Sequence, residues 1–414
     1  MRILFITAPG YEGAPQAPLQ YDARFNTGDT VYFFPIMSYF DCKENEISYM
    51  TVDEVYSSLC NHSEIGKHYD IAIHPHANIF SSSWQNEMKR CAWIYQHLGI
   101  PVYVLGAGCD AGLTYNVDAL EPMESVVKEF VDAVMNHGGE ITLRGYFTQA
   151  ALEQIGIKGL FVSGCPSIYK SGENLSINKM AVSRSAFCPL FHGGRISDIP
   201  LRWYRQYPKA RFFDQDRYLA MLYHPEEAIL YRWDFLYPAK EIFREDRVRG
   251  DVNYVMWKRQ IFEGGYHLAF GARIHGNIIA LQNGLPAFLD TEGSRTREIA
   301  EFYDIPNSYA LLFNRDEDDL YDLYCELSFD TFKKTYKKRY LSFKKWLDRR
   351  IPNCLGNNAD FFKELESLNY YDYRNNKNIK KRRDDYIRRM PGKWRSVILL
   401  AGKRLENEIK SLIR

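Results

Sequence analysis

No run of apolar residues in this chain of 414 is long enough to cross a bilayer, and neither sign of charge is in excess, with Lys and Arg at 53 against Asp and Glu at 52. The first absence removes a membrane-spanning helix. The second removes the broad basic field that a nucleic-acid partner requires. Also missing is any Cys-x-x-Cys pair or cysteine–histidine spacing of a metal centre. The eight cysteines, at 42, 60, 91, 109, 165, 188, 325 and 354, stand apart and read as reduced thiols. The opening MRILFIT is a strand-length apolar run, too short for a signal-peptide core, so the expected location is the cytoplasm. Neither an internal repeat nor a low-complexity stretch stands out.

What is present is an ordinary globular composition, 46% hydrophobic, unusually rich in aromatics at 15% with 30 tyrosines. Such surfaces suit sugar stacking, although each tyrosine taken alone reads as a packing residue. The length accommodates two domains. Residues 1–170 alternate short apolar strands with helical stretches, as a parallel α/β sheet demands. RILFIT, DIAIHPHANIF, PVYVLGAG, ITLRGY and LFVSG supply the strands; SWQNEMKRCAWIYQHLG, MESVVKEFVDAVMNHGG and TQAALEQIG supply the helices. A second α/β unit over 171–315 begins near KMAVSRS and includes YLAMLYH, with an aromatic-rich insertion at about 200–260. A helical segment over 316–370 is expected to pack back across both domains.

From Arg374 to Arg414 the balance shifts to fourteen Lys/Arg against four Asp/Glu. A basic tail over 371–414 ending in VILLAGKRLENEIKSLI reads either as a solvated charged helix or as an amphipathic one on an anionic membrane face.

The stretch GARIHGNIIALQNGLPAFLD, residues 271–290, carries the chemistry. Ile278, Ile279 and Leu281 give a short helical stripe, Gly284 a left-handed stop, and LPAFLD a buried strand. With YHLAFGA as the preceding strand, Arg273 and His275 fall on a strand-to-helix turn. There the unpaired backbone N–H groups and the helix dipole favour an anion. An arginine at that end is repelled unless something negative sits between. The plainer reading pairs Arg273 with an acid elsewhere and leaves His275 as a core histidine; two such residues on one turn favour the anion site. His74 and His76, alternating on extended chain, point to one face, but no third metal ligand accompanies them. Cys165 in GCPS reads as part of a tight turn, with no activating base in view.

Four stretches in order, NTGD (26–29), DIAIHPHANIF with VYVLGAG, LRGYFTQAALEQIG with GCPS (143–167), and ARIHGNIIALQNGLP (272–286), together resemble the polysaccharide pyruvyl transferase family. The resemblance runs discontinuously over about residues 1–310, and the R-x-H-G…A-L-x-x-G-x-P block is its most specific part. It implies a GT-B-like α/β fold, two Rossmann-like domains facing across a cleft with C-terminal helices. It also implies transfer of the enolpyruvyl part of phosphoenolpyruvate to a sugar of a cell-surface polysaccharide or its lipid-linked precursor, forming a pyruvate ketal. One departure is that HPHANIFSSS stands where the family commonly has a glycine-rich loop.

Phosphoenolpyruvate carries a carboxylate and a phosphate on neighbouring carbons, and arginine forks match both. Arg273 supplies one clamp and Arg144, at the carboxyl end of its strand, the second. Gly276 and Asn277 on the same turn, Arg295 and Arg297 downstream, and His76 are further substrate-binding candidates. His275 is the candidate acid/base. Asp29 or Asp290 is the carboxylate that would favour a developing cation, although Asp29 equally fits a helix cap. No resident cofactor or metal is expected. Two rival readings stand beside this one: a glycosyltransferase of the same build using a nucleotide-sugar, with HPEEAIL near its ribose, and a non-catalytic sugar- or anion-binding relative.

Overall fold

The computed structural model describes residues 1–8, 26–61, 64–112, 114–215, 239–251, 253–311, 313–351 and 354, and beyond these only 377, 381, 384, 385 and 388. Two wholly parallel sheets organise the chain. In spatial order the first is β2 (Glu46–Thr51), β1 (Arg2–Thr7), β3 (Ile71–Pro75), β4 (Val102–Ala107), β5 (Glu140–Leu143) and β6 (Phe161–Val162). The second is β11 (Ala287–Leu289), β10 (Leu268–Gly271), β7 (Pro189–Phe191), β8 (Arg211–Phe213) and β9 (Val248–Arg249). The helices are α1 (Gly28–Phe40), α2 (Val52–Cys60), α3 (Gln85–Leu98), α4 (Glu124–Met135) and α5 (Tyr146–Gln154) in the first half. They continue with α6 (Leu201–Gln206), α7 (Ala239–Arg244), α8 (Tyr254–Glu263), α9 (Ile274–Gln282), α10 (Ser294–Tyr303), α11 (Ser308–Leu311), α12 (Leu320–Glu326) and α13 (Asp330–Asp348). This is the expected GT-B-like pair of Rossmann-like domains.

Strand β4 is buried along its whole length and β1 from Ile3 onward, as strands covered on both faces must be. Helix α1 is apolar all round, and twelve of its thirteen residues are buried, which a surface helix does not tolerate. It lies between the domains. One apolar cluster runs from Ile3 and Phe5 through α1 to Phe191 and Phe270 of the second sheet. A second cluster covers the opposite face of the first sheet beneath α3 and α4. Helix α13 packs on the first sheet: Trp346 stacks on Phe161 with centroids 5.7 Å apart, and its indole N–H donates to Glu140 at 3.2 Å.

Two expectations are corrected. The segment at about 200–260 is not an insertion, because β8, β9 and α8 within it belong to the second domain. Strands of three and two residues are too short to show alternation, and here they are flanked by arginine and aspartate. KMAVSRS forms no strand; the second sheet starts at Pro189. YLAMLYH, HPEEAIL and nearly all of the basic tail lie outside the described residues. Among the described residues no helix is long and apolar enough to cross a membrane.

Candidate functional site

In an open parallel sheet a ligand sits beyond the carboxyl ends of the strands where the winding reverses. Here those points fall between β1 and β3 and between β7 and β10. The residues there are His76 just past β3, His192 just past β7, and Arg273 and His275 just past β10. Arg144 follows β5 on the same side.

The turn after β10 has the geometry read from its sequence. Arg273 occupies the N-cap position of α9 in extended conformation, and His275 lies in the first helical turn. The Asn277 amide donates to the carbonyls of Gly271 and Arg273, both at 2.9 Å, so this side chain holds the turn closed. Gly276 is glycine because of packing. A Cβ there would lie 2.4 Å from His192 Nδ1 and 2.7 Å from Gln215 Nε2. The space above it is therefore filled by protein side chains.

The His275 ring stacks on Tyr32 of α1 across the domain junction, with centroids 5.5 Å apart. Burial first, and then Arg144, Arg295 and Arg273, push its pKa down to about 3, so the imidazole is neutral in the free protein. Its Nε2 has no hydrogen-bond partner among the described residues. The junction is also tied at Thr27, whose N–H and hydroxyl both donate to the Gln215 carbonyl, at 2.7 and 2.9 Å.

Arg144 is 1% exposed. Its chain crosses Gly108, where a Cβ would lie 3.0 Å from Arg144 Cδ, so the second glycine of GAG makes room for it. Nη1 donates to Asn78 at a long 3.4 Å, while Nε and Nη2 find no acceptor among the described residues. Arg295 is half-buried, with Nη1 3.5 Å from Asp110 and Nε without an acceptor among the described residues. Burial and the neighbouring Arg144 lower its pKa, as burial lowers that of Arg273. Asp214, Asp198, Asp29 and Glu292 oppose that effect at Arg273, which places Asp29, in the first turn of α1, beside the cluster. Buried guanidinium N–H groups without acceptors are costly and rare in a finished protein interior. An anion held among these three arginines would satisfy them.

Half-buried His76 is the peripheral member. Burial and Arg144 push its pKa down to about 4. His74 and His76 do share a face, with rings 5.2 Å apart, but His74 is a satisfied core residue bonded to the Tyr95 hydroxyl at 2.5 Å. Asp290 and Arg297 turn away from the cluster. Asp290 pairs with Arg315 at 2.5 Å, and Arg297 pairs with Glu301 between the rings of Tyr115 and Tyr309. Cys165 is buried against Ser167, and burial raises its pKa.

Sequence reasoning missed His192, Gln215, Tyr32 and Glu298. His192 is fully buried with neither ring nitrogen hydrogen-bonded, and burial pushes its pKa down to about 3. Its signal was its place directly after the apolar PLF run. Gln215 offered no sequence signal at all.

No protein-family model matches the chain, and no curated protein matches it. Among solved structures it is similar to Staphylococcus aureus MnaA bound to UDP, at 10% identity and a TM-score of 0.42 over 85% of this chain and 90% of that one. It is also similar to Anabaena Alr3699/HepE in complex with UDP and glucose, at 11% identity and 0.39 over 89% and 100%. A third is T4 phage BGT with UDP-glucose, at 12% identity and 0.32 over 89% and 100%. Likenesses of this size assign no activity.

Proposed function

We propose that the cleft binds a phosphorylated donor between Arg144, Arg273 and Arg295, and that the protein is an enzyme transferring pyruvate from phosphoenolpyruvate to a glycan or lipid-linked oligosaccharide. The observation that carries this reading is the set of three guanidinium groups around the neutral His275, with Arg144 and Arg295 holding N–H groups that no atom of the described residues accepts. A carboxylate and a phosphate on neighbouring carbons would fill such a cluster.

In the reaction a sugar hydroxyl oxygen bonds to the central carbon of phosphoenolpyruvate while solvent supplies a proton to the methylene carbon, made good when His275 returns the hydroxyl proton to solvent. His275, neutral in the free protein, accepts the hydroxyl proton. Asp29 stands by the cationic character that develops at the central carbon. A second hydroxyl then displaces phosphate, closing the ketal, and the proton of that hydroxyl leaves on the phosphate. Loading the arginines with an anion raises the His275 pKa from its low value, which readies the ring to keep that proton.

A nucleotide-sugar donor is the second reading, since a diphosphate is an anion of the same class. His192 and Gln215 favour it, being neutral polar side chains suited to sugar hydroxyls rather than to a small trianion. In the first reading the same pair would serve the acceptor. Calorimetric titration with phosphoenolpyruvate and with UDP decides between them. Micromolar binding of phosphoenolpyruvate, weakened in Arg273→Ala, supports pyruvyl transfer. Binding of UDP alone overturns it in favour of the nucleotide-sugar donor, and binding of neither overturns both.

A further inference from the structure

Helix α10 follows the last strand of the second domain, yet it is stitched along its length to the first. The Ser294 N–H donates to Gly112 O at 2.7 Å, and the Ser294 hydroxyl accepts from the Ala111 N–H at 3.0 Å. The Tyr115 hydroxyl donates to Glu301 at 2.9 Å, and the Tyr303 hydroxyl to Cys165 O at 3.1 Å. At the middle of this seam lies Glu298, 2% exposed.

The Glu298 carboxylate accepts the Thr148 N–H at 3.1 Å and the Thr148 hydroxyl at 3.0 and 2.9 Å. Thr148 is the third residue of α5, and the residue before that helix is Gly145, which has no side chain to cap it. A carboxylate from the other domain therefore satisfies a helix end that its own sequence leaves open. Gly145 is required for this seating, since a Cβ there would lie 2.7 Å from Glu298 Oε2. The Thr148 hydroxyl also accepts from the Cys109 N–H at 2.8 Å. Three segments thus meet at one carboxylate: the loop after β4 with Asp110, the turn with Arg144, and the helix with Arg295. Arg144 immediately precedes Gly145, and Arg295 lies one helical turn before Glu298.

We propose that Glu298 is a positioning residue that sets Arg144 and Arg295, from opposite domains, for one bridging anion, and that anion binding is thereby linked to a proton at this carboxylate. The inference rests on the anion site described under the proposed function. Burial pushes the Glu298 pKa up to about 7, opposed by Arg144 and by the two Thr148 hydrogen bonds and aided by Glu301. The other titratable groups facing it are Cys109 and Tyr115, both of them shifted upward in part by its charge. Below that pKa the carboxyl is neutral and leaves the arginines to the ligand. Above it, the carboxylate repels the ligand and competes for Arg144.

Sulfate is the probe, because its charge is constant between pH 5.5 and 8.5, and its affinity is measured calorimetrically on the full chain. In the wild type, affinity should weaken across pH 7, by about tenfold if the anion moves the Glu298 pKa by one unit. Glu298→Gln keeps the Thr148 contacts without the charge, and the step in affinity near pH 7 should disappear, whereas His275→Ala, which removes the other titrating group beside the anion, should keep that step. Thr148→Val removes one donor to the ionised carboxylate and should move the wild-type midpoint to higher pH. A Glu298→Gln protein that keeps the wild-type pH slope, or a Thr148→Val midpoint that does not move, overturns the inference while leaving the anion site standing. A wild type that binds neither sulfate nor phosphoenolpyruvate at any pH overturns the site and the inference with it.

Discussion

The loop from Asp290 to Arg295 separates two groups of charged side chains. On one side Arg315 is saturated: Nε pairs with Asp290 at 2.5 Å, Nη2 with Glu292 at 2.7 Å, and Nη1 donates to Asp198 O at 3.0 Å. On the other, Arg144 is more deeply buried, yet two of its guanidinium nitrogens have no acceptor among the described residues. Both groups hold arginine beyond strand ends of a parallel sheet, and composition does not tell them apart. What separates them is whether the protein completes its own hydrogen bonds. The closed group serves stability, and the open one has the unmet hydrogen bonds on which the proposed anion site rests.

Substitutions should divide along this line. The largest effect is expected at His275: replacement by alanine should lower turnover on the order of 10²- to 10⁴-fold, the usual worth of a general acid or base, with phosphoenolpyruvate binding largely kept. Steady-state kinetics beside calorimetry checks this, and equal loss of binding and turnover would undo the assignment. Next comes Arg144→Ala, expected to cost about 1.5–3 kcal/mol of donor affinity, the scale of a charge-assisted hydrogen bond, without lowering the melting temperature. A large loss of stability with affinity unchanged would place Arg144 in the closed class.

Arg315→Ala should do the reverse. It leaves Asp290 buried and unpaired at a cost of about 1–3 kcal/mol in denaturant unfolding, and anion affinity should stay at the wild-type value. Gly276→Ala, which forces a Cβ against His192 and Gln215, should destabilise by about 1–3 kcal/mol as an overpacking change. The smallest effect lies in the pH dependence of stability, where the two sides of the cleft have opposite signs. His275 and His192 bind protons more weakly folded than unfolded, so their contribution makes stability rise with pH between about 3 and the ordinary histidine value of 6.5. Glu298 binds its proton more tightly when folded, so its contribution is lost as pH rises through about 7. Melting temperatures against pH for wild type and Glu298→Gln should therefore diverge between about pH 4.5 and 7 and run parallel on either side of that window.

Five of the six strands of the first sheet were legible, four of them four to six residues long and separated by helices, one of which stops at the left-handed Gly99, while β2 and the helices α1 and α2 beside it were not read. The second was legible only at β10, α9 and β11. There a strand, a helix and the left-handed Gly284 follow one another within twenty residues. Strands β8 and β9 hid in their brevity. Of the residues proposed for the site, Arg144, Arg273, Arg295 and His275 are also the candidates of the sequence, because strand-end arginines and a helix-start histidine are local features. His192, Gln215, Tyr32 and Glu298 were not, since each matters through a partner far away in the chain.

Sequence by itself determined the alternation of strands and helices over most of the first domain and the strand-to-helix turn that carries Arg273 and His275, because these follow from local periodicity and helix-end chemistry. Tertiary structure alone decided which arginines are left without acceptors, that Gly276 serves packing, and that Glu298 caps a helix of the opposite domain. Those properties depend on distances between segments up to 150 residues apart, as Thr148 and Glu298 are. Local pattern holds no record of such distances.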